Sequence, residues 1–259
     1  MAHGWTAVPP VVAREILQRA GGSDITPAAT GDHAELAVSV GGPNGSVFVK
    51  GASSPLGVRS LRYEVQVNRN VDRRYAPAVL WDFEAHGWLV AGFEHCNGRP
   101  GDLSPGSCDL TLLSTALPEL AGPPAPDGPW LSPHARLGFD HPALHGDTLV
   151  HTDLNPANLI VTADGLRIVD WAFTTQAAPW LELAMLAPWL IGSGHTPLQA
   201  EQWLAQHPTW ADTDPEVVDL FVTGNAAKWA RKSQQSNAAW IRDLASWFAA
   251  WSAHRGQTT

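Results

Sequence analysis

Cysteine is nearly absent from the 259 residues: only Cys96 and Cys108 occur. Two thiols cannot build a disulfide framework or a four-thiolate zinc site, so nothing in the chain asks for an oxidising compartment. Long apolar runs are missing as well. The most apolar stretch, residues 181–191, falls short of the ~20 residues that a membrane helix needs, and it contains Pro188. Residues 1–10 lack the basic stretch and unbroken apolar run of a secretory signal, and Arg14 and Glu15 follow at once. These absences predict a cytoplasmic chain with no membrane span. Positive charge is scarce too, with 16 Lys+Arg against 25 Asp+Glu and a net charge of -9. Such a chain repels a phosphate backbone, and Lys228, Arg231 and Lys232 form too small a cluster to reverse that field, which excludes nucleic acid as a partner. No internal repeat or low-complexity tract is present.

What the chain does have is core material. With 44% hydrophobic residues and 13 Trp it is no disordered segment. Its length predicts one large domain or two lobes. Residues 1–100 carry nine Lys+Arg and nine Asp+Glu, whereas residues 101–259 carry seven and sixteen, so the whole excess of negative charge lies in the second part. That part either presents a solvated acidic surface or handles cations.

Helical spacing over residues 11–20 ends at Gly21-Gly22 and predicts a first helix. Residues 35–40 and 46–50 read as two strands of a hairpin around Gly41-Gly42-Pro43-Asn44-Gly45. Residues 61–71 fit a helix, and 79–81 with 88–93 fit two more strands. The stretches 94–107 and 121–133 are rich in Gly and Pro and read as connections. Eight of the 13 Trp lie between Trp180 and Trp251, in long helical segments, where core packing explains them better than a ligand cage.

The chemistry concentrates in His151-Thr152-Asp153-Leu154-Asn155-Pro156-Ala157-Asn158, followed by two apolar runs around Asp164-Gly165 and then Val169-Asp170-Trp171. The Asp-Gly turn predicts a hairpin. A hairpin centred on Asp164 places Asn158 opposite Asp170, close enough for two hard oxygen ligands to share one metal ion. Such a pair suits Mg²⁺, which borrows further ligands from substrate phosphates. Asp153, on the loop feeding the hairpin, is placed to accept a hydroxyl proton. Isolated Asp and Asn are common in turns, but the spacing of all these residues coincides here.

These residues resemble the signature of the aminoglycoside phosphotransferase family, a His-Gly-Asp-x-x-x-x-Asn segment followed by a hairpin and Ile-Asp-Trp or Ile-Asp-Phe. The resemblance implies a two-lobed α+β protein-kinase-like fold. Its N-lobe, residues 1–95, would be a small antiparallel sheet with a helix, and its C-lobe, residues 96–259, larger and mainly helical. It implies that Asp153 is catalytic, that Asn158 and Asp170 bind Mg²⁺, and that His151 is a scaffold for the loop. Lys50, at the end of Val47-Phe48-Val49-Lys50, would bind the α and β phosphates of ATP or GTP, and Glu64 would pair with it. The nucleotide site would further include Phe48, Glu94, Cys96, Ile160 and Val169. Phe48 shares Lys50's face by strand alternation, so its ring lines the purine pocket or narrows it; Glu94-His95-Cys96 would offer backbone groups to the base. Glu182 would brace the catalytic loop.

The sequence departs from the pattern at Thr152, where Gly or Arg is usual, and at Asn155, where His is frequent; neither position is expected to do chemistry. The phosphate-covering loop is reduced to Thr30-Gly31-Asp32-His33. The expected activity is transfer of the γ-phosphate of a purine nucleoside triphosphate to a hydroxyl of a small acceptor, a cationic one if the acidic second part binds it. Asp212, Asp214, Glu216 and Asp219 could bind a polycation, but a solvated helix start with Asp214 as cap and Pro215 in the first turn is the preferred reading. A kinase of another metabolite, or a catalytically silent nucleotide-binding pseudokinase, are the alternatives, and the resemblance does not establish antibiotic resistance. A protein kinase fits less well, because the chain runs from Asp170 into helix without a peptide-binding activation segment.

Overall fold

Residues 4–28 and 34–257 are described by a computed structural model. Two compact units emerge: Met1–Arg99 with Thr162–Ala172, and Pro100–Val161 with Phe173–Thr259. The expected division after residue 95 is a single cut, whereas the first unit also takes in the segment that carries Asp170.

In the first unit, helix α1 (Pro10–Ala20) opens on proline, whose missing N–H is no loss in a first turn. It stops at Gly21, whose φ of 67° suits glycine. Strands β1 (Asp24–Pro27), β2 (Leu36–Gly42), β3 (Gly45–Ala52), β4 (Val79–Ala85) and β5 (Trp88–Glu94) form an antiparallel sheet in the order β1-β2-β3-β5-β4. Alternation sends Val38, Val40, Val49 and Val90 to one face, where they pack with Val12 and Ile16 of α1. On the other face Ala52, Leu89, Ala91 and Phe93 meet Leu61 and Val65 of helix α2 (Pro55–Asn68), with Phe48 against them. Gly92 is required where it stands: a Cβ there would collide with the Trp81 ring on the neighbouring strand. The hairpins agree with expectation to within a few residues. Strand β1 has no counterpart in the sequence pattern, and α2 starts six residues earlier than residue 61. Ser54 caps it by accepting from the Gly57 N–H at 3.1 Å, with Pro55 in the first turn, and this cap-and-proline start looks like a loop in sequence.

Strand β6 (Gly98–Pro100) leads onward, and helices α3 (Asp109–Ala121) and α4 (Pro133–Leu137), with strands β7 (Thr148–Val150) and β8 (Leu159–Thr162), follow. Strand β9 (Gly165–Ile168) lies in the first unit. Strand β10 (Thr175–Ala177) pairs antiparallel with β7, Thr175 opposite Val150. Helices α5 (Trp180–Gly192), α6 (Pro197–Leu204), α7 (Pro208–Ala211), α8 (Pro215–Gln235) and α9 (Ala239–Arg255) complete the second unit. Helix α5 is buried nearly all round, the signature of a core helix. Trp251 is fully buried and packs with Trp210, Phe221 and Phe248, in line with the core role expected of these Trp. Asp214 caps α8, accepting from the Glu216 N–H at 2.9 Å with Pro215 in the first turn. Asp219 pairs with Arg255. Among the described residues, no helix is long and apolar enough to cross a membrane. The two cysteines are free.

Candidate active site

Lys50 lies in the middle of the sheet, opposite Ala37 and Ala91 in register. Its Nζ donates to both carboxylate oxygens of Glu64, at 2.8 and 2.9 Å, and to Oδ1 of Asp170 at 2.8 Å. Residues 50, 64 and 170 of the chain thus meet in one unit. Burial alone would pull the Lys50 ammonium down, but the charges of Asp170 and Glu64 outweigh it and hold its pKa above the ordinary lysine range. Burial pushes the Glu64 carboxyl up; Lys50 opposes that shift and Asp170 adds to it. Asp170 takes a φ of 64°, rare for a residue with a side chain.

Beside it, Arg167 donates to Glu94 at 3.0 and 2.7 Å, and to the Ala76 carbonyl at 3.1 Å. The Ile168 N–H donates to the Tyr75 carbonyl at 2.7 Å, so β9 is fixed within the first unit. The Glu94 carboxylate also accepts from the Ala78 N–H at 3.1 Å, which commits this side chain to holding the sheet edge and Arg167. Cys96 is half-buried, and burial raises its thiol pKa. Phe48, Ile160 and Val169 are partly buried, the first on β3, the second on β8, and the third directly before Asp170. The candidate phosphate loop Thr30-Gly31-Asp32-His33 lies outside the described residues.

The second unit holds the other half of the motif. His151 is fully buried, and its Nδ1 accepts from the Asp153 N–H at 3.2 Å. Asn158 donates through Nδ2 to the Asp153 carbonyl at 2.9 Å and to Asp153 Oδ2 at 3.1 Å. Asn155 does more than fill a place. Its Oδ1 accepts from the N–H groups of Ala157 and Asn158 at 2.9 and 3.2 Å, and its Nδ2 donates to Asp153 Oδ2 at 3.2 Å. Two amides therefore fix the Asp153 carboxylate. One expectation fails in its reasoning: β8 begins at Leu159 and β9 ends at Ile168, so strand register does not oppose Asn158 to Asp170. Asn158 ends a 3₁₀ turn and Asp170 has left-handed backbone, both outside the hairpin ladder.

Glu182, the buried acid at the start of α5, accepts from the His151 N–H and, at 2.9 Å, from the Thr152 N–H. Burial pushes its carboxyl up to about 7, although those two N–H groups favour the charged form. Thr152 has a φ of 64°. Its Oγ1 donates to the Phe173 carbonyl at 2.8 Å and accepts from Arg136 Nε at 2.9 Å, and its carbonyl accepts from Arg136 Nη2 at 3.0 Å. Sequence reasoning missed Arg136, which sits on the short helix α4 beyond a Gly- and Pro-rich stretch read only as a connection. The signal that could have found it is small: it is one of only two Lys or Arg residues between positions 100 and 200, the other being Arg167.

Among the described residues, no group of three or more His, Cys, Asp or Glu could hold a metal ion by itself. Taken singly, the carboxylate of Asp170 and the amide oxygen of Asn158 are hard donors of the kind that suits Mg²⁺ rather than zinc. Asn158 spends its amide nitrogen on Asp153, so Oδ1 is the atom it can offer a hard cation.

Residues 132–219 match a family model described as the phosphotransferase enzyme family. No curated protein matches the chain by sequence. In structure the chain is similar to a thermostable mutant of aminoglycoside phosphotransferase APH(4)-Ia in its apo form, with TM-score 0.64, 14% identity, and coverage of 95% of this chain and 99% of that one. It is similar to a further variant of that mutant in ternary complex with ADP and hygromycin B, at TM-score 0.62, 14% identity, and coverage of 92% and 97%. It is also similar to the choline kinase LicA from Streptococcus pneumoniae, at TM-score 0.60, 13% identity, and coverage of 96% and 98%. Residues 132–219 thus carry the pattern of the phosphotransferase enzyme family, and the chain has the α+β protein-kinase-like fold of the aminoglycoside phosphotransferases.

Proposed function

We propose that this protein is a small-molecule kinase that transfers the γ-phosphate of a purine nucleoside triphosphate to an alcohol group. The observation that supports this most directly is the largely buried cluster of Lys50, Glu64 and Asp170. A lysine held between two carboxylates on a β-strand is a costly arrangement for stability alone, because burying charge gives back little even when the charges are paired. It is well suited to presenting one positive charge at a fixed place to phosphate oxygens.

In this reading Lys50 orients the α and β phosphates, and Glu64 keeps its ammonium in place. Asp153 accepts or aims the proton of the attacking hydroxyl, its carboxylate held by Asn155 and Asn158. Mg²⁺, bound through Asp170 and Asn158, would neutralise charge on the phosphates. Phe48, Glu94, Cys96, Ile160 and Val169 contribute to the base and sugar pocket. Most of the acceleration then comes from positioning and charge neutralisation. The structural neighbours include an aminoglycoside phosphotransferase and a choline kinase, and both names point to small hydroxylated cations as the first acceptors to try. The acidic residues at the start of α8 do not recommend themselves as their binding site, since Asp214 caps the helix and Asp219 pairs with Arg255.

The test is transfer of labelled γ-phosphate from MgATP and MgGTP to a panel of aminoglycosides, choline and other amino alcohols. A labelled product with one acceptor class establishes the activity and names the class. Nucleotide binding without transfer to any member would favour a silent nucleotide-binding protein instead.

A further inference from the structure

The geometry points to Arg136 as a positioning residue that fixes the peptide joining Thr152 to Asp153, and so sets the direction of the catalytic carboxylate. Thr152 is β-branched and yet left-handed at φ 64°, a conformation that such residues leave unless their surroundings hold them there. Its polar groups show what holds it. The N–H is taken by Glu182 and the hydroxyl proton by the Phe173 carbonyl. The two bonds that remain, to Oγ1 and to the carbonyl oxygen, both come from the Arg136 guanidinium, at 2.9 and 3.0 Å.

The second of these bonds matters most for Asp153. The Thr152 carbonyl and the Asp153 N–H belong to one rigid peptide plane. Arg136 binds one edge of that plane and His151 Nδ1 binds the other. A planar guanidinium presents its donors in a fixed fork, so it can hold a side-chain oxygen and a carbonyl of the same residue at once, which a lysine ammonium does less well. Arg136 is itself held. Its guanidinium lies 4.6 Å from the centre of the Phe173 ring, and its carbonyl accepts from Lys228 Nζ at 2.9 Å. Helix α4 is closed at both ends, by Ser132 at the start and by Gly138 in left-handed conformation at the end. A glycine at position 152 would adopt the same backbone without any clamp. Arg136 and Thr152 therefore act as one device.

The kinetic half of this inference rests on the proposed kinase reading; the structural half does not. The experiment compares the wild type, Arg136→Leu, Arg136→Lys, and Arg136→Leu combined with Thr152→Gly. Amide hydrogen exchange is read over the whole chain, and kcat and nucleotide KM are read with the acceptor found above. Arg136→Leu should speed exchange in residues 151–154 about tenfold while leaving the rest of the second unit unchanged. It should lower kcat about tenfold with nucleotide KM little altered. Adding Thr152→Gly should restore a substantial part of kcat, a rescue that general destabilisation cannot give, because this second change removes the Phe173 bond as well. Wild-type exchange in Arg136→Leu overturns the inference, and so does an increase spread evenly over the unit. Wild-type behaviour of Arg136→Lys overturns the role of the fork; should Arg136→Leu fail to fold, slowed turnover with faster local exchange in Arg136→Lys carries the test. Absence of transfer by the wild type with every acceptor sinks the kinase reading, while the exchange comparison still decides the clamp.

Discussion

Replacing Lys50 by methionine tests how the buried cluster is held together. Methionine keeps the unbranched apolar stem, one heavy atom shorter, and removes the charged ammonium together with its three hydrogen bonds. The exposures of the three side chains, 13% for Lys50, 5% for Glu64 and 22% for Asp170, set the magnitude. Taking one partner out of a buried ion pair costs ~3–5 kcal/mol, because the other charge stays buried without compensation. Asp170 keeps some hydration, so its share is discounted, and the low end of about 3 kcal/mol is expected. Sign and pH follow from Glu64, whose carboxyl burial already pushes above its ordinary 4.5 and which Lys50 opposes. A raised carboxyl contributes stability that is fully present below the unfolded pKa and is lost as pH rises through the folded one. The destabilisation in Lys50→Met should therefore be smallest below the ordinary carboxyl value of 4.5 and should grow as pH rises above it. Combining it with Glu64→Leu removes the two most buried of the three charges, leaving only the more hydrated Asp170, and should recover about 2 kcal/mol, a coupling that a double-mutant cycle of urea unfolding reads directly. A loss below about 1 kcal/mol, or one that does not change with pH, would refute the description of this cluster as a buried, mutually dependent set.

Three further outcomes are expected. Glu182 is raised from 4.5 to about 7, so its contribution to stability is fully present below about pH 4.5 and lost as pH rises to about 7, by ~3 kcal/mol. Glu182→Gln should remove that slope from a series of urea midpoints, and an unchanged slope would place the titration elsewhere. Gly92→Ala drives a methyl group into the Trp81 ring and should cost ~1–3 kcal/mol by urea unfolding, with a neutral result contradicting the packing of β4 on β5. Ser54→Ala removes the cap of α2 and should cost about 1 kcal/mol in the same assay; no change would mean that the cap bond to Gly57 contributes nothing.

Much of the fold and of the candidate site is legible in the sequence, for physical reasons that can be named. The hairpin of β2 and β3 announces itself through alternation broken by a Gly-, Pro- and Asn-rich turn. Lys50 stands out because lysine is so scarce. His151, Asp153, Asn158 and Asp170 lie within 20 residues, so local spacing alone reveals them. What stayed hidden depends on contacts between distant parts of the chain or on backbone detail. Arg136 reaches Thr152 across 16 positions from a helix of five residues, too short to leave a periodic signal. Asn155 looks like a neutral replacement in sequence, and only the fold of the loop turns its amide towards Asp153. The hairpin argument correctly placed strands on both sides of Asp164. The ladder does not run on to Asn158 and Asp170: it stops at Leu159 and Ile168, Asn158 belongs to a 3₁₀ turn, and Asp170 is itself left-handed. The start of α2 was missed because proline and glycine at a helix start resemble loop chemistry.

The central claim is that Asp153 acts on the acceptor hydroxyl while Lys50 and its partners hold the nucleotide. It is tested most directly by following γ-phosphate loss from MgATP or MgGTP by phosphorus NMR, with acceptor present, for the wild type and for Asp153→Asn. The account predicts that the variant binds nucleotide as the wild type does but transfers phosphate about 10²–10⁴-fold more slowly, the usual contribution of a positioned general base. Equal rates of transfer by the two proteins would contradict it.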